Sequence, residues 1–233
     1  MKDMTSEYKS KKFSILADSI STFSGYNHPD CEIFYDAIRK RESGVLSYSD
    51  TWWGRALDRL GAELLINNSF SGSTVTRDKR HEIESYASGD TRIKSLANGA
   101  LTPDVIMVFM GMNDWLGGAP LYPEDAEGDI HCFSLDYKAM IEKLKREYPS
   151  AEIWCLALPA RREGEYPDEG RFLRYERHIN EFCEVIREVA HEYSVKLIDI
   201  YDPERPFETF DGYHPSYRGM ATIADAVLGE IYK

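Results

Sequence analysis

No stretch of this chain approaches the roughly 20 consecutive apolar residues that a membrane-spanning helix needs. The first twelve residues, MKDMTSEYKSKK, lack the apolar core of a secretory leader, so a cytoplasmic protein is expected. Cysteine is scarce. The four present, Cys31, Cys132, Cys155 and Cys183, lie far apart, and no pair has metal-ligand or redox spacing. Cys155 falls in an apolar run and Cys183 on an apolar helical face, which points to buried free thiols. Histidine occurs only six times. His81-Glu82 and His191-Glu192 open like zinc-protease motifs, but neither has the second histidine, so no metal or other cofactor is expected. Positive charge is also short: 28 Lys and Arg against 40 Asp and Glu give a net charge of −12. A surface that acidic repels phosphate backbones and anionic lipid, so neither nucleic acid nor a membrane is an expected partner. Linkers, repeats and low-complexity tracts are missing too. One domain over residues 1–233 is expected, with 1–11 a flexible tail; nothing in the pattern fixes an oligomeric state.

What is present is an alternation of strand-length apolar runs with helical periodicity. Phe13 to Ala17 reads as a buried strand. Asp50 to Leu60 reads as a helix that Asp50 or Thr51 can cap, with Trp53, Ala56, Leu57 and Leu60 on one face and Gly61 as its stop. Glu63 to Ile66 is a short second strand. Asp104 to Met110 is the most apolar run, and its continuity suggests burial on both faces, as in a parallel sheet. Tyr137, Met140, Ile141, Leu144 and Tyr148 keep helical spacing. Ile153 to Leu158 is a fourth strand, and residues from Phe172 to Tyr193 mark a long amphipathic helix. Val195 to Ile200 is a fifth strand, and Met220 to Ile231 a last helix. Five strands interleaved with helices predict an α/β fold with a five-stranded parallel sheet covered on both faces. Ligands of such sheets bind beyond the carboxyl ends of the strands.

Four polar clusters fall at that edge. Asp18-Ser19-Ile20 follows the first strand, and Asn67 to Ser73 follows the second. Gly111-Met112-Asn113-Asp114 follows the third, and Asp211-Gly212-Tyr213-His214-Pro215 precedes the last helix. Together they supply a hydroxyl, an imidazole, a carboxylate, a glycine amide and a carboxamide, which are the parts of an acyl-transfer site.

The set resembles the GDSL/SGNH hydrolase superfamily. That family's G-D-S-[LI] block is similar to Ala17-Asp18-Ser19-Ile20, and its glycine block to Asn67 through Gly72. Its G-x-N-D block is matched by Gly111, Asn113 and Asp114, and its D-x-x-H block by Asp211 and His214. The blocks keep the family's order from residue 17 to residue 214. One departure is Ala17 where the family has glycine, which puts the shape of the turn into Ser19 in question. The G-x-S-x-G elbow of the other serine-hydrolase fold is absent.

The resemblance implies a three-layer α/β/α, flavodoxin-like domain. It implies Ser19 as nucleophile, His214 as its base and Asp211 as the carboxylate that orients the imidazole, with Asp199 and Asp202 as rival acids near the fifth strand. An oxyanion hole would comprise the N–H groups of Ser19 and Gly72 and the Asn113 amide. Asp18 and Asp114 are read as braces for their loops. Trp115 and Trp52 are the aromatic candidates for lining a substrate pocket, whereas Trp53 belongs to the core. The expected activity is serine esterase on short acyl esters, acetyl first, on a small molecule or oligosaccharide. A lysophospholipase or thioesterase on the same machinery, or a non-catalytic carbohydrate-binding protein, are the alternatives.

Overall fold

The computed structural model describes residues 7–77, 86–126, 131–160 and 177–233. Five strands form one sheet: β1 (Lys12–Ala17), β2 (Glu63–Ser69), β3 (Val105–Phe109), β4 (Glu152–Leu156) and β5 (Lys196–Ile198). All neighbours pair in parallel, in the order β2-β1-β3-β4-β5. The continuous apolar run of β3 is buried on both faces, as its lack of alternation predicts, and so is β1 from Phe13 to Ala17, with Ser14 among its buried residues.

Seven α-helices are described: α1 (Arg39–Ser43), α2 (Trp52–Leu60), α3 (Asp90–Lys94), α4 (Met112–Gly117), α5 (Phe133–Glu147), α6 (Ile179–Glu192) and α7 (Tyr217–Ile231). The chain steps from β1 outward to β2, then crosses back to β3 and continues the other way to β4 and β5. Right-handed crossovers running in opposite directions place their helices on opposite faces of the sheet. Accordingly α2 packs on α7 and α5 packs on α6. This is the three-layer α/β/α arrangement expected from the sequence. Among the described residues, no helix is long and apolar enough to cross a membrane.

The helix ends show why α2 forms where it does. Thr51, not Asp50, caps it: the Thr51 side chain accepts from the Gly54 N–H, and Gly61 closes it in a left-handed conformation. Asp50 instead binds the backbone N–H groups of Leu46 and Ser47. The free edge of β2 is covered by the segment after Ser19. Asn27 bridges to Asn67, and the His28 N–H donates to the Asn67 carbonyl at 2.9 Å.

Some boundaries differ from the sequence reading. Strand β2 runs on through Asn67, Asn68 and Ser69, and α5 begins at Phe133, a turn earlier than its apolar spacing suggests. Gly111 to Asp114, read as a loop, opens into α4. Phe172 and Tyr175 of the long amphipathic helix lie outside the described residues; α6 itself is described from Ile179. The four cysteines are free thiols, three of them buried and Cys31 half-buried.

Candidate active site

The order of strands reverses at β1, between β2 on one side and β3 on the other. At such a switch point the loops leave in opposite directions and open a crevice at the carboxyl edge. The chain leaves β1 through Asp18, whose carboxylate accepts from the Ile20 N–H at 3.0 Å and so closes a single 3-10 turn, Ser19–Ser21. Ala17 fits without strain. It is an extended residue of β1 paired with Ser69 and Phe109, so the turn does not need a glycine there.

The last long loop brings His214 to this turn. Its Nε2 lies 3.0 Å from the Ser19 Oγ. Its Nδ1 lies 2.8 Å from the Asp211 carboxylate, which also accepts the backbone N–H groups of Tyr213 and His214, at 2.9 and 2.7 Å. Burial opposes ionisation of Asp211, but the bonds from His214 and the two N–H groups prevail and bring its carboxyl down to about 2. Asp211 is therefore a carboxylate at neutral pH. The rival acids are engaged elsewhere. Asp199 takes a two-pronged bond from Arg187, at 2.7 and 3.0 Å, and Asp202 accepts from the Glu204 N–H.

Beyond β2 the chain turns at Gly72 with φ +78°, a conformation that favours glycine. A β-carbon there would meet no heavy atom within 4 Å, so the backbone is open to an incoming group. Gly111, with φ +124°, is required for a second reason: a β-carbon would lie 3.0 Å from the Phe133 ring. Asn113 then sits in the first turn of α4, half-buried, and donates one amide hydrogen to the Ser73 carbonyl at 2.8 Å. Among the described residues, no protein acceptor takes the N–H of Ser19 or of Gly72.

The two acids read as braces are placed to brace. Asp114 accepts from the N–H groups of Val75 and Thr76 at 2.9 and 2.8 Å, holding the segment that follows Gly72. Burial lifts its carboxyl to about 6 against those bonds. Asp18 is lifted to about 7, by burial first and by neighbouring Asp114, against the Ile20 bond and the Arg92 charge.

Both tryptophans read as candidates for a pocket wall are buried. Trp52 is 0% exposed, and its indole N–H donates to the Ser21 Oγ at 2.9 Å. Trp52 stands edge-on to Phe109 of β3, with centroids 5.3 Å apart, and Trp53 is equally buried, so Trp52 is core behind the Ser19 turn and not a pocket wall. Trp115 is 8% exposed, with its indole N–H on the Arg177 carbonyl.

Sequence reasoning overlooked three neighbours. Arg92, from α3, is buried beneath the turns. It donates to the carbonyls of Ala17 and Asn68, at 3.1 and 2.7 Å, to the Asn68 side chain and to the Ser73 hydroxyl. Thr22 accepts from the Phe34 N–H and donates to the Ser19 carbonyl. Phe34 lies flat on His214. Arg92 and Phe34 carry no local signal, since each acts through partners distant in sequence. An open hollow of about 660 Å³ lies at the opposite, amino ends of β4 and β5, lined by residues such as Tyr148, Glu152 and Lys196; none of the residues gathered around Ser19 lines it.

Comparisons with known proteins bear on the family and the fold. The family model described as GDSL-like Lipase/Acylhydrolase matches residues 11–231. A structure from Bacteroides ovatus, assigned as a GDSL-like lipase, is 26% identical over 96% of this chain and 99% of that one, with a TM-score of 0.72. Another so assigned, from Bacteroides uniformis, is 29% identical over 96% of each chain, with a TM-score of 0.70. A carbohydrate acetylesterase from Sinorhizobium meliloti shares the fold at 14% identity and a TM-score of 0.66, over 96% of this chain and 99% of its own. No curated protein matches the chain in sequence.

Proposed function

Since the chain belongs to the GDSL-like lipase/acylhydrolase family of ester hydrolases, we propose that it is a serine esterase with Ser19 as nucleophile, His214 as general base and Asp211 as the orienting carboxylate. The observation that carries this reading is the unbroken line of bonds Ser19 Oγ to His214 Nε2, and His214 Nδ1 to Asp211, at 3.0 and 2.8 Å. A serine hydroxyl is a weak nucleophile until a neighbouring base takes its proton. With Asp211 on Nδ1, the neutral imidazole keeps its hydrogen on that side and offers Nε2 as acceptor.

His214 removes the Ser19 proton as Oγ attacks the ester carbonyl. The oxyanion is received by the N–H groups of Ser19 and Gly72 and by the second amide hydrogen of Asn113. His214 then protonates the leaving alcohol, and water releases the acyl group by the reverse route. We assign short acyl esters as substrates, acetyl groups on carbohydrates first. An acetylesterase from Sinorhizobium meliloti with the same fold supports that reading, and a net charge of −12 disfavours anionic lipid surfaces. Four free thiols suit a reducing compartment such as the cytoplasm.

The test is kcat/KM on para-nitrophenyl esters from acetate to decanoate, then acetate release from acetylated oligosaccharides, with Ser19→Ala as control. The expected result is a maximum at acetate and a fall in kcat of about 10⁴-fold or more for Ser19→Ala. Near-normal turnover by folded Ser19→Ala would end the serine mechanism. A maximum at octanoate or longer, with no acetate released, would overturn the substrate assignment alone.

A further inference from the structure

Phe34 has no place in the mechanism above, yet it makes the closest ring contact described in the site. Its ring centroid lies 3.4 Å from that of His214, and the planes are tilted by only 15°. Two nearly parallel rings at that separation have almost no lateral offset. Neutral aromatic rings avoid such overlap and prefer offset or edge-to-face arrangements, because their negative faces repel. A cation over the same face is attracted. The arrangement is therefore a poor partner for neutral imidazole and a good one for imidazolium.

The contact is built and not incidental. The Phe34 N–H is held by the Thr22 hydroxyl at 3.0 Å, and that hydroxyl donates to the Ser19 carbonyl at 2.9 Å, so the ring's backbone is tied to the nucleophile turn. Next to it, the buried Tyr35 hydroxyl donates to the Pro215 carbonyl at 2.7 Å, which fixes the chain just after His214. The Tyr35 ring stands edge-on to the imidazole, with centroids 6.5 Å apart at 87°.

We propose that Phe34 is a positioning residue of the hydrolysis, whose ring face favours the His214 imidazolium that forms when Ser19 gives up its proton. The inference rests on the serine esterase reading. An interaction stronger in the transition state than in the resting enzyme raises kcat, whereas one equal in both changes only KM. The groups around the imidazole leave this role to Phe34. Asp211 occupies Nδ1, Ser19 occupies Nε2, and the Tyr35 hydroxyl is committed to Pro215. Phe210 meets His214 through its backbone N–H and packs against the Phe34 ring. A cation, Arg39, lies 5.5 Å from the Phe34 centroid and is bound to Glu42.

The experiment replaces Phe34 with phenylalanines carrying one, two and three ring fluorines, which keep the shape and weaken the negative face in steps. Hydrolysis of para-nitrophenyl acetate is followed across pH, with Phe34→Leu and Ser19→Ala alongside. The expected result is a stepwise fall in kcat, reaching about three- to tenfold, with KM nearly constant. Imidazole also stays neutral to lower pH once its cation is less favoured, so the acid limb of the kcat/KM profile moves down in pH along the series. A flat series in both kcat and acid limb, with Ser19→Ala inactive, would reduce Phe34 to packing and overturn the inference. Activity in Ser19→Ala would instead strike the serine mechanism on which it rests. If Phe34→Leu does not fold, the isosteric fluorinated series still decides.

Discussion

The Asn113 amide has two hydrogens, and one is spent on the Ser73 carbonyl. That bond fixes the side chain before substrate arrives, so little order is lost when the second hydrogen meets a developing oxyanion. We expect Asn113→Ala to lower kcat by about 10²–10³ with KM almost unchanged. A rise in KM alone would reassign Asn113 to substrate binding. Asp211 makes a different kind of residue-scale prediction. Asn in its place would present an N–H to the His214 Nδ1 and draw the imidazole hydrogen to Nε2, the side that must accept. Asp211→Asn should therefore cost about 10⁴ in kcat without loss of fold, checked by steady-state kinetics beside circular dichroism. Retention of more than about a tenth of the activity would remove Asp211 from its orienting role.

At the scale of elements, the crevice depends on two strand ends staying in register, and the Arg92 side chain of α3 holds them together. Its guanidinium spans the last residue of β1 and the end of β2, and reaches the hydroxyl of Ser73, whose carbonyl anchors Asn113. Arg92→Met fills similar space but strips buried acceptors of their donor. It should lower unfolding free energy by about 3 kcal/mol or more, read from the guanidinium chloride midpoint. A loss below about 1 kcal/mol would show that water can replace it. Arg92 also explains where the sequence was legible and where it was not. Strand β3 could be read because burial on both faces leaves an uninterrupted apolar run, and β1 because only Ser14 breaks its own. The end of β2 could not, because Asn67, Asn68 and Ser69 look like a loop, yet they are buried at 1%, 2% and 0% exposure. Asn67 is satisfied by Ser21, and Asn68 by Arg92, which lies 24 residues away in sequence. The Ser19, His214 and Asp211 grouping was visible because strand ends in a parallel sheet share one edge. The fate of Trp52 was not, because its ring meets Phe109 of β3 and its indole N–H meets Ser21, both far from it in sequence.

For the whole molecule, three buried or half-buried carboxyls set opposed pH dependences. Asp18 and Asp114 are raised in the folded state, to about 7 and about 6, by burial. Unfolding lets them return toward about 4, so their contribution is complete below that pH and is lost as pH rises through 6 and 7. Asp211, at about 2 when folded, acts in reverse: its contribution is present above about 4 and is lost as pH falls toward 2. The urea midpoint should decline between about pH 4.5 and pH 8, partly through general repulsion at a net charge of −12. Asp18→Asn keeps an acceptor for the Ile20 N–H and removes the titration, so its decline should be shallower. Parallel curves for the two proteins would show that Asp18 ionises as freely folded as unfolded.

Ser19 and His214 are 195 residues apart, one after the first strand and the other before the last helix. Synthesis runs from the amino end, so on the proposed reading the nucleophile is made 195 residues before its base. A ribosome-bound chain stalled before Asp211 is expected to ignore a fluorophosphonate that labels the finished protein, and labelling of that stalled chain would contradict it. On that reading the Ser19 hydroxyl stays unactivated until His214 has been made and folded against it, and the onset of hydrolysis timestamps the meeting of these two distant segments.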